Sequence, residues 1–363
     1  MPPIIRLPEI DGTGQPLCLA GCPTVTDERS PSPHSTPNFS DAPSEPPARS
    51  IPRARPPQRG FAKWGVHLLW LLPVVGVGLF VLNGLLLARG TKPHYALTMA
   101  PALVEETPWH SRTLKVLAWD LDQCGARKPG LAFVTRKELR DRLIAISELI
   151  NREQPDLVVL LNVLTEFTLC DINQPRSIAE ATGMHCWAYG ETFQVGLPFL
   201  RVMGGNAILS RRPLEVLGNP PLPGAEPFWS VDPSRRALWC QIQVDGQPVR
   251  VGAVRLSDGS ADVRLAQARH LVEATGGAPS LLAGNFQAAP DDPAFEPFLA
   301  AKQWGEPRSE PPTQPAATPR RRLDQVLAPA GWELVHETVL DTDLASHRPV
   351  LSEFRLPEPS DAR

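Results

Sequence analysis

Short apolar runs that alternate with stretches of helical periodicity predict an α/β domain with α+β character over residues 114–356 of this 363-residue chain. Two observations carry that prediction. Leu114–Trp119, Leu157–Leu161 and Ser280–Ala283 read as buried strands, and an amphipathic helical segment follows the first of them. Ala237–Val244 and Val249–Leu256 flank Asp245-Gly246, whose glycine tolerates positive φ, so part of the pairing is an antiparallel hairpin.

The chain opens in a different register. Its 42 prolines against 26 glycines signal a long irregular segment. Prolines recur among Ser, Thr, Asp and Arg over residues 1–63, which cannot bury enough apolar surface to offset the entropy of ordering, so a disordered tail is predicted. Pro46-Pro47 and Pro56-Pro57 fit either a proline-reading partner or a solvated spacer. Residues 64–88 then contain no Asp, Glu, Lys or Arg, and at 1.5 Å per residue such a run spans a bilayer core. His67, Pro73 and Asn83 interrupt it only mildly, and the length of chain before it argues for a signal anchor rather than a cleaved leader. Arg49, Arg53, Arg55, Arg59 and Lys63 precede the run and only Arg89 and Lys92 closely follow it. A single-pass protein of the cell membrane is predicted, with its N-terminus cytoplasmic and its C-terminal domain extracytoplasmic.

A linker over 89–113 leads into the domain, and 357–363 form a C-terminal tail. Within the domain, Thr135 and Glu138 have the spacing of a capping box, followed by Leu139, Leu143, Ile146 and Ile150 on one helical face. A short helix is predicted near Arg176–Thr182, a strand at Ala207–Ser210, and a helix over Ala261–Ala274 that stops at Gly276-Gly277. A long proline-rich loop runs to Ala317, before strands near Leu323–Leu327 and Val350–Phe354.

Nine of the 36 basic and six of the 39 acidic residues lie up to Lys92, leaving 27 against 33 beyond it. A net-acidic domain argues against nucleic acid as a partner, because such binding needs clustered cations. Cys124, Cys170, Cys186 and Cys240 in an oxidising compartment permit two disulfides, with burial as free thiols the alternative.

Six segments in order carry a resemblance: LKVLAWDLD at 114–122, PDLVVLLNV at 155–163, GNAILSR at 205–211, LLAGNF at 281–286, RRLDQV at 321–326 and SHRPV at 346–350. Together they resemble the endonuclease/exonuclease/phosphatase family. The resemblance implies a four-layer sandwich, with two packed mixed β-sheets flanked by helices and an active site at one end. It also implies phosphoester hydrolysis with magnesium or manganese held by carboxylates.

The same resemblance implies roles for particular residues. Asp120 and Asp122 stand at the first station, where some members carry a metal-associated Asp. Residues two apart on a strand face the same side, so the two carboxylates are expected to point together. The family's metal-ligating Glu falls on Asn162, and its phosphate-facing His on Arg255. Its Gly-Asp-Phe-Asn signature reads Gly284-Asn285-Phe286-Gln287, so the water-activating carboxylate is an amide that cannot act as a base. Asp324 and His347 match the family's supporting Asp and catalytic His, but Ser346 replaces the carboxylate beside that His and Gln325 replaces a His.

Bland readings stand beside these. Asp120 and Asp122 satisfy turn amides equally well, Arg255 has the chemistry to pair with them, and His347 is a reasonable structural histidine on Asp324. The leading expectation is a membrane-anchored pseudoenzyme that needs no cofactor and binds an anionic small molecule or a protein partner. The alternative is an active phosphodiesterase or phosphatase with magnesium or manganese on a residual Asp120, Asp122 and Asn162 site. A structural assembly module working through tail and span is a third.

Overall fold

The computed structural model describes residues 69–79, 95–99, 112–125, 135–167, 172–197, 200–224 and 235–358. The predicted tail, most of the predicted span and residues 359–363 lie outside them. Residues 69–79 form helix α1, with Leu69, Trp70 and Leu72 exposed. Among the described residues, no helix is long and apolar enough to cross a membrane.

The 89–113 stretch, expected as linker alone, contains strand β1 (Tyr95–Met99). The first sheet has the order β1-β4-β5-β3-β2-β12-β11, built from β2 (Thr113–Asp120), β3 (Leu157–Phe167), β4 (Cys186–Leu197), β5 (Leu200–Ser210), β11 (Glu333–Val339) and β12 (Val350–Arg355) besides β1. The second has the order β10-β9-β8-β7-β6, from β6 (Leu214–Gly218), β7 (Leu238–Val244), β8 (Gln247–Arg255), β9 (Ser280–Asn285) and β10 (Asp324–Leu327). Two pairs are parallel, β2 with β3 and β8 with β9, and the other ladders are antiparallel.

The two-residue period of a strand explains the layering. Leu114, Val116 and Ala118 of β2, with Leu157, Val159 and Leu161 of β3, pack in one buried cluster with Cys240, Ile242, Val251, Ala253 and Leu281 of the second sheet. The alternate residues Leu117, Trp119, Val158 and Leu160 belong to a separate cluster with Leu139, Leu143, Ile146 and Ile150 of α2 (Arg136–Glu153) and Ile178 of α3 (Gln174–Thr182). Beyond the second sheet, Trp239, Val254 and Leu282 pack with Ala268 and Leu271 of α4 (Ala261–Thr275) and Phe298 of α5 (Glu296–Ala301). The result is the expected α/β sandwich of two mixed sheets with helices outside.

The predicted signals act where expected. Thr135 and Glu138 form a full capping box on α2, and Gly276 ends α4 in the left-handed conformation. Asp245 and Gly246 both take positive φ at the β7–β8 turn. Two framework glycines answer to close approach. A Cβ on Gly205 would lie 1.9 Å from the carbonyl oxygen of Gly190, and one on Gly284 would lie 2.0 Å from that of Val254.

Cys124, Cys186 and Cys240 are free buried thiols, so the two disulfides permitted by the sequence do not form. Burial pushes the thiols of Cys124 and Cys240 up to about 12, which makes them inert.

Candidate functional site

Parallel pairing delivers the carboxyl ends of β2 and β3 to one edge of the first sheet, and those of β8 and β9 to one edge of the second. Asp120 is level with Leu161, the neighbour of Asn162. In the second sheet Arg255, Asn285 and Asp324 form one cross-strand row, because Arg255 pairs with Asn285 and Asn285 with Asp324. Five positions from distant parts of the sequence, Asp120, Asn162, Arg255, Asn285 and Asp324, therefore share one end of the sandwich.

Asp120 is the hub. Its carboxylate is 1% exposed. Oδ2 accepts from Arg255 Nε at 3.0 Å and from Asn285 Nδ2 at 2.9 Å, while Oδ1 accepts from the backbone N–H of Asp122 at 3.0 Å. Burial alone would raise this carboxyl, but Arg255, His347, the Asn285 amide and the Asp122 N–H together bring it down to about 2. Arg255 is itself held more firmly protonated: burial works against its charge, and Asp120 outweighs it.

Asp122 departs from the expected geometry. Its φ of 44° takes it out of the strand into a 3-10 turn, so its exposed side chain does not continue the face of Asp120. Asn162 also leaves regular strand geometry, with φ 53° at a register shift in the β3–β5 pairing. Its Nδ2 donates to Asp122 Oδ1 at 3.1 Å and its Oδ1 accepts from Gln123 Nε2 at 3.4 Å. Asn162, Arg255 and Asn285 thus each donate a hydrogen bond to Asp120 or Asp122.

Asn285 is fully buried, and its Oδ1 also accepts from the Gln287 N–H at 2.9 Å. A carboxylate at 285 could accept that bond but could donate nothing to Asp120. Gln287 is half-buried with φ 51°. Gln325 clasps the backbone of Arg308 through both ends of its amide, at 3.0 and 2.7 Å. The Ser346 carbonyl accepts from Ala316 N, and its side chain is partly exposed.

The His347–Asp324 pair is in place. Nδ1 lies 2.7 Å from Asp324 Oδ2, and the His347 carbonyl accepts from Trp119 Nε1 at 2.8 Å. Burial disfavours the charged ring, but the Asp324 carboxylate overrides it and Asp120 adds to the effect, raising His347 to about 9. Asp324 Oδ1 is buried without a hydrogen-bond partner. Arg322 Nε fixes the Asp324 carbonyl at 2.7 Å.

Several contributors escaped sequence reasoning. Asn206 accepts from the Asn162 N–H at 3.4 Å and reaches the Ala253 carbonyl at 3.5 Å, bridging the two sheets. It lies inside the GNAILSR landmark, which was the available signal. Arg235, bonded to Asp258 at 2.9 Å, stands close enough to Arg255 for their charges to interact. Nothing in the sequence around Arg235 marks it.

A model of the endonuclease/exonuclease/phosphatase family matches residues 131–361, the greater part of the sequence. The chain belongs to this family. A search of curated proteins found no match. Solved structures agree on the fold. An endonuclease/exonuclease/phosphatase from Beutenbergia cavernae is 23% identical, with a TM-score of 0.50 over 68% of this chain and 72% of that one. A family protein and a mannosyl-6-phosphatase, both from Bacteroides thetaiotaomicron, are each 13% identical with TM-scores of 0.51. They cover 68% and 66% of this chain and 98% and 99% of their own.

Members of the endonuclease/exonuclease/phosphatase family are generally divalent-metal dependent, and the donors here fit such an ion poorly. A hard cation wants several free oxygen ligands. Both oxygens of Asp120 already accept protein hydrogen bonds, and the Asn162 amide is engaged with Asp122 and Gln123. Among the described residues, no group of three or more His, Cys, Asp or Glu is placed to hold a metal.

Proposed function

We propose that this protein is a membrane-anchored member of the endonuclease/exonuclease/phosphatase family whose cleft does not hydrolyse phosphoesters through a bound cation. The observation that supports the reading is that the carboxylates of Asp120 and Asp122 already accept hydrogen bonds from donors of the chain itself. Arg255 and Asn285 aim N–H groups at the same oxygen of Asp120, and Asn162 aims one at Asp122. A guanidinium supplies the positive charge that would otherwise come from the metal, without opening a coordination position for substrate or water. No residue at the Asn285 position is left to deprotonate a water.

In this reading the ligand is an anionic small molecule or a protein partner, recognised through the Arg255 N–H groups that Asp120 does not take up. The net-acidic domain argues against nucleic acid. The anchor at 64–88, with the tail cytoplasmic and the domain extracytoplasmic, belongs to the same reading and rests on the apolar run and its flanking charges.

A second reading is kept by one observation: the intact Asp324–His347 pair holds a proton that a general acid would donate. Steady-state assays of the purified full-length protein separate the two. With p-nitrophenyl phosphate or bis-p-nitrophenyl phosphate and magnesium or manganese, no turnover above the blank is expected. Metal-dependent turnover that His347→Ala abolishes would sink the non-hydrolytic reading.

A further inference from the structure

Beside the open edge of β10 the chain begins a strand pairing that it cannot complete. β10 is the last strand of the second sheet, and in an antiparallel ladder alternate residues turn their peptide groups away from the neighbouring strand. The Phe286 N–H donates to the Leu323 carbonyl at 2.8 Å, a register that turns the peptide groups of Asp324, Val326 and Ala328 outward. Two of the three are met. The Asp324 N–H donates to Thr313 Oγ1 at 3.4 Å and its carbonyl accepts from Arg322 Nε at 2.7 Å, while the Ala328 carbonyl accepts from the Gly305 N–H at 3.0 Å. Trp304 pairs antiparallel with Pro329, and continuing that register puts Pro307 opposite Val326. Proline has no N–H to give. Val326 is 7% exposed, and neither its N–H nor its carbonyl has a partner among the described residues.

A pocket of about 420 Å³ opens at this gap, within the size range of small-molecule sites. Its far wall belongs to the first sheet: Leu334 of β11, with Trp332 and Phe354, whose ring centroids are 6.3 Å apart. Trp332 and Leu334 are half-buried, so this apolar wall is within reach of a ligand. Glu306 and Arg308 line the same pocket, both exposed and neither in an ion pair among the described residues. Glu337 adds no free charge, because its carboxylate accepts from Arg322 Nη2 at 2.7 Å and from Ser352 Oγ at 2.9 Å. The slot is closed at both ends. The Gly305–Ala328 bond shuts one, and the Gln325 amide, itself 1% exposed, holds the Arg308 backbone at the other.

We infer that this pocket, separate from the cleft, binds a free peptide of dipeptide size that carries a large apolar side chain. One amide unit of the ligand supplies the acceptor and the donor that Val326 lacks, as an added strand would. Its apolar side chain packs on Trp332, Leu334 and Phe354. Arg308 takes the carboxylate and Glu306 the ammonium group. The closed ends leave no passage for a strand of a partner protein, which limits the ligand to this length.

Isothermal titration of the full-length protein with the dipeptide Leu-Phe tests this. Saturable binding at one site is expected, and none for Gly-Gly, which has no apolar side chain to place. Arg308→Ala and Glu306→Gln should each weaken Leu-Phe about three- to fivefold, the scale of exposed ion pairs. Leu334→Trp, which fills the pocket, should abolish binding; the two exposed positions keep the test valid if that variant unfolds. No saturable binding at millimolar Leu-Phe, equal binding of Gly-Gly, or binding that none of the variants weakens overturns the proposal. The capped peptide N-acetyl-Leu-Phe-amide is expected to bind more weakly than the free dipeptide. Equal affinity of the capped form, or tighter binding of a longer peptide with Leu-Phe at its centre, would mean a groove for a protein segment and would refute the dipeptide assignment.

Discussion

Replacing Arg255 by methionine keeps the aliphatic bulk and removes the charge that faces Asp120. The carboxylate it leaves is 1% exposed and loses a charged donor at 3.0 Å. Breaking a buried pair in this way costs about 3–5 kcal/mol. Asn285 Nδ2 and the Asp122 N–H still reach the carboxylate, so a loss of about 3 kcal/mol, the low end of that range, is expected near neutral pH. The loss should depend on pH in a defined direction. In the parent, Asp120 is lowered from 3.8 to about 2, so its stabilising contribution is fully present above pH 3.8 and disappears as pH falls through about 2. In the variant, burial acts on the carboxyl without its main counterweight, and the charged form becomes the costly one. The gap between parent and variant should therefore be widest above pH 3.8 and close toward pH 2. Urea unfolding of the fragment beginning at Pro93, followed by circular dichroism across that range, measures it. A loss no larger than the ~0–1 kcal/mol of an exposed pair, or one equal at both ends of the range, would refute the assignment of Arg255 as the internal counter-ion.

Two further outcomes are expected. The His347 ring, followed by NMR, should titrate near 9 rather than 6.5, and Asp324→Asn should return it to 6.5 or below. Because the folded pKa is raised, the stability from this pair is fully present below pH 6.5 and lost as pH rises through about 9, worth roughly 3 kcal/mol. An Asp324→Asn variant with an unchanged alkaline unfolding profile would count against that linkage. Gly205→Ala should cost at least the ~1–3 kcal/mol of overpacking, since its Cβ would meet the Gly190 carbonyl oxygen at 1.9 Å, whereas Gly305→Ala has nothing within 4 Å to meet. Equal melting temperatures for the two variants would contradict the close-approach explanation of the GNAILSR glycine.

Elements with strong local chemistry are legible in the sequence itself. The capping box at Thr135 and the glycine stop at Gly276 depend on residues within a few positions of one another, and their helices lie where the spacing places them. Elements without such chemistry are not legible in this way. Strand β11 lies at the edge of its sheet and is largely exposed or half-buried, so it lacks an apolar alternation. Strand β4 is interrupted by Gly190 and Glu191 and owes its place to pairing with β5.

The sequence by itself determined the class of fold and the family landmarks, and the resemblance put Asn162, Arg255, Asn285, Gln287 and Ser346 at positions where the family carries other residues. It offered pairing of Arg255 with Asp120 or Asp122 as one reading among others, and it expected the two carboxylates to point together. Only the tertiary structure decided these matters. Arg255 reaches Asp120 across 135 residues of chain and Asn285 reaches it across 165, and a backbone φ of 44° turns Asp122 away toward Asn162. The physical reason is that a residue's type is a local property, whereas its hydrogen-bond partner depends on the register of two sheets and on a few backbone angles. At this cleft that register fills the oxygens of Asp120 with donors from the chain itself.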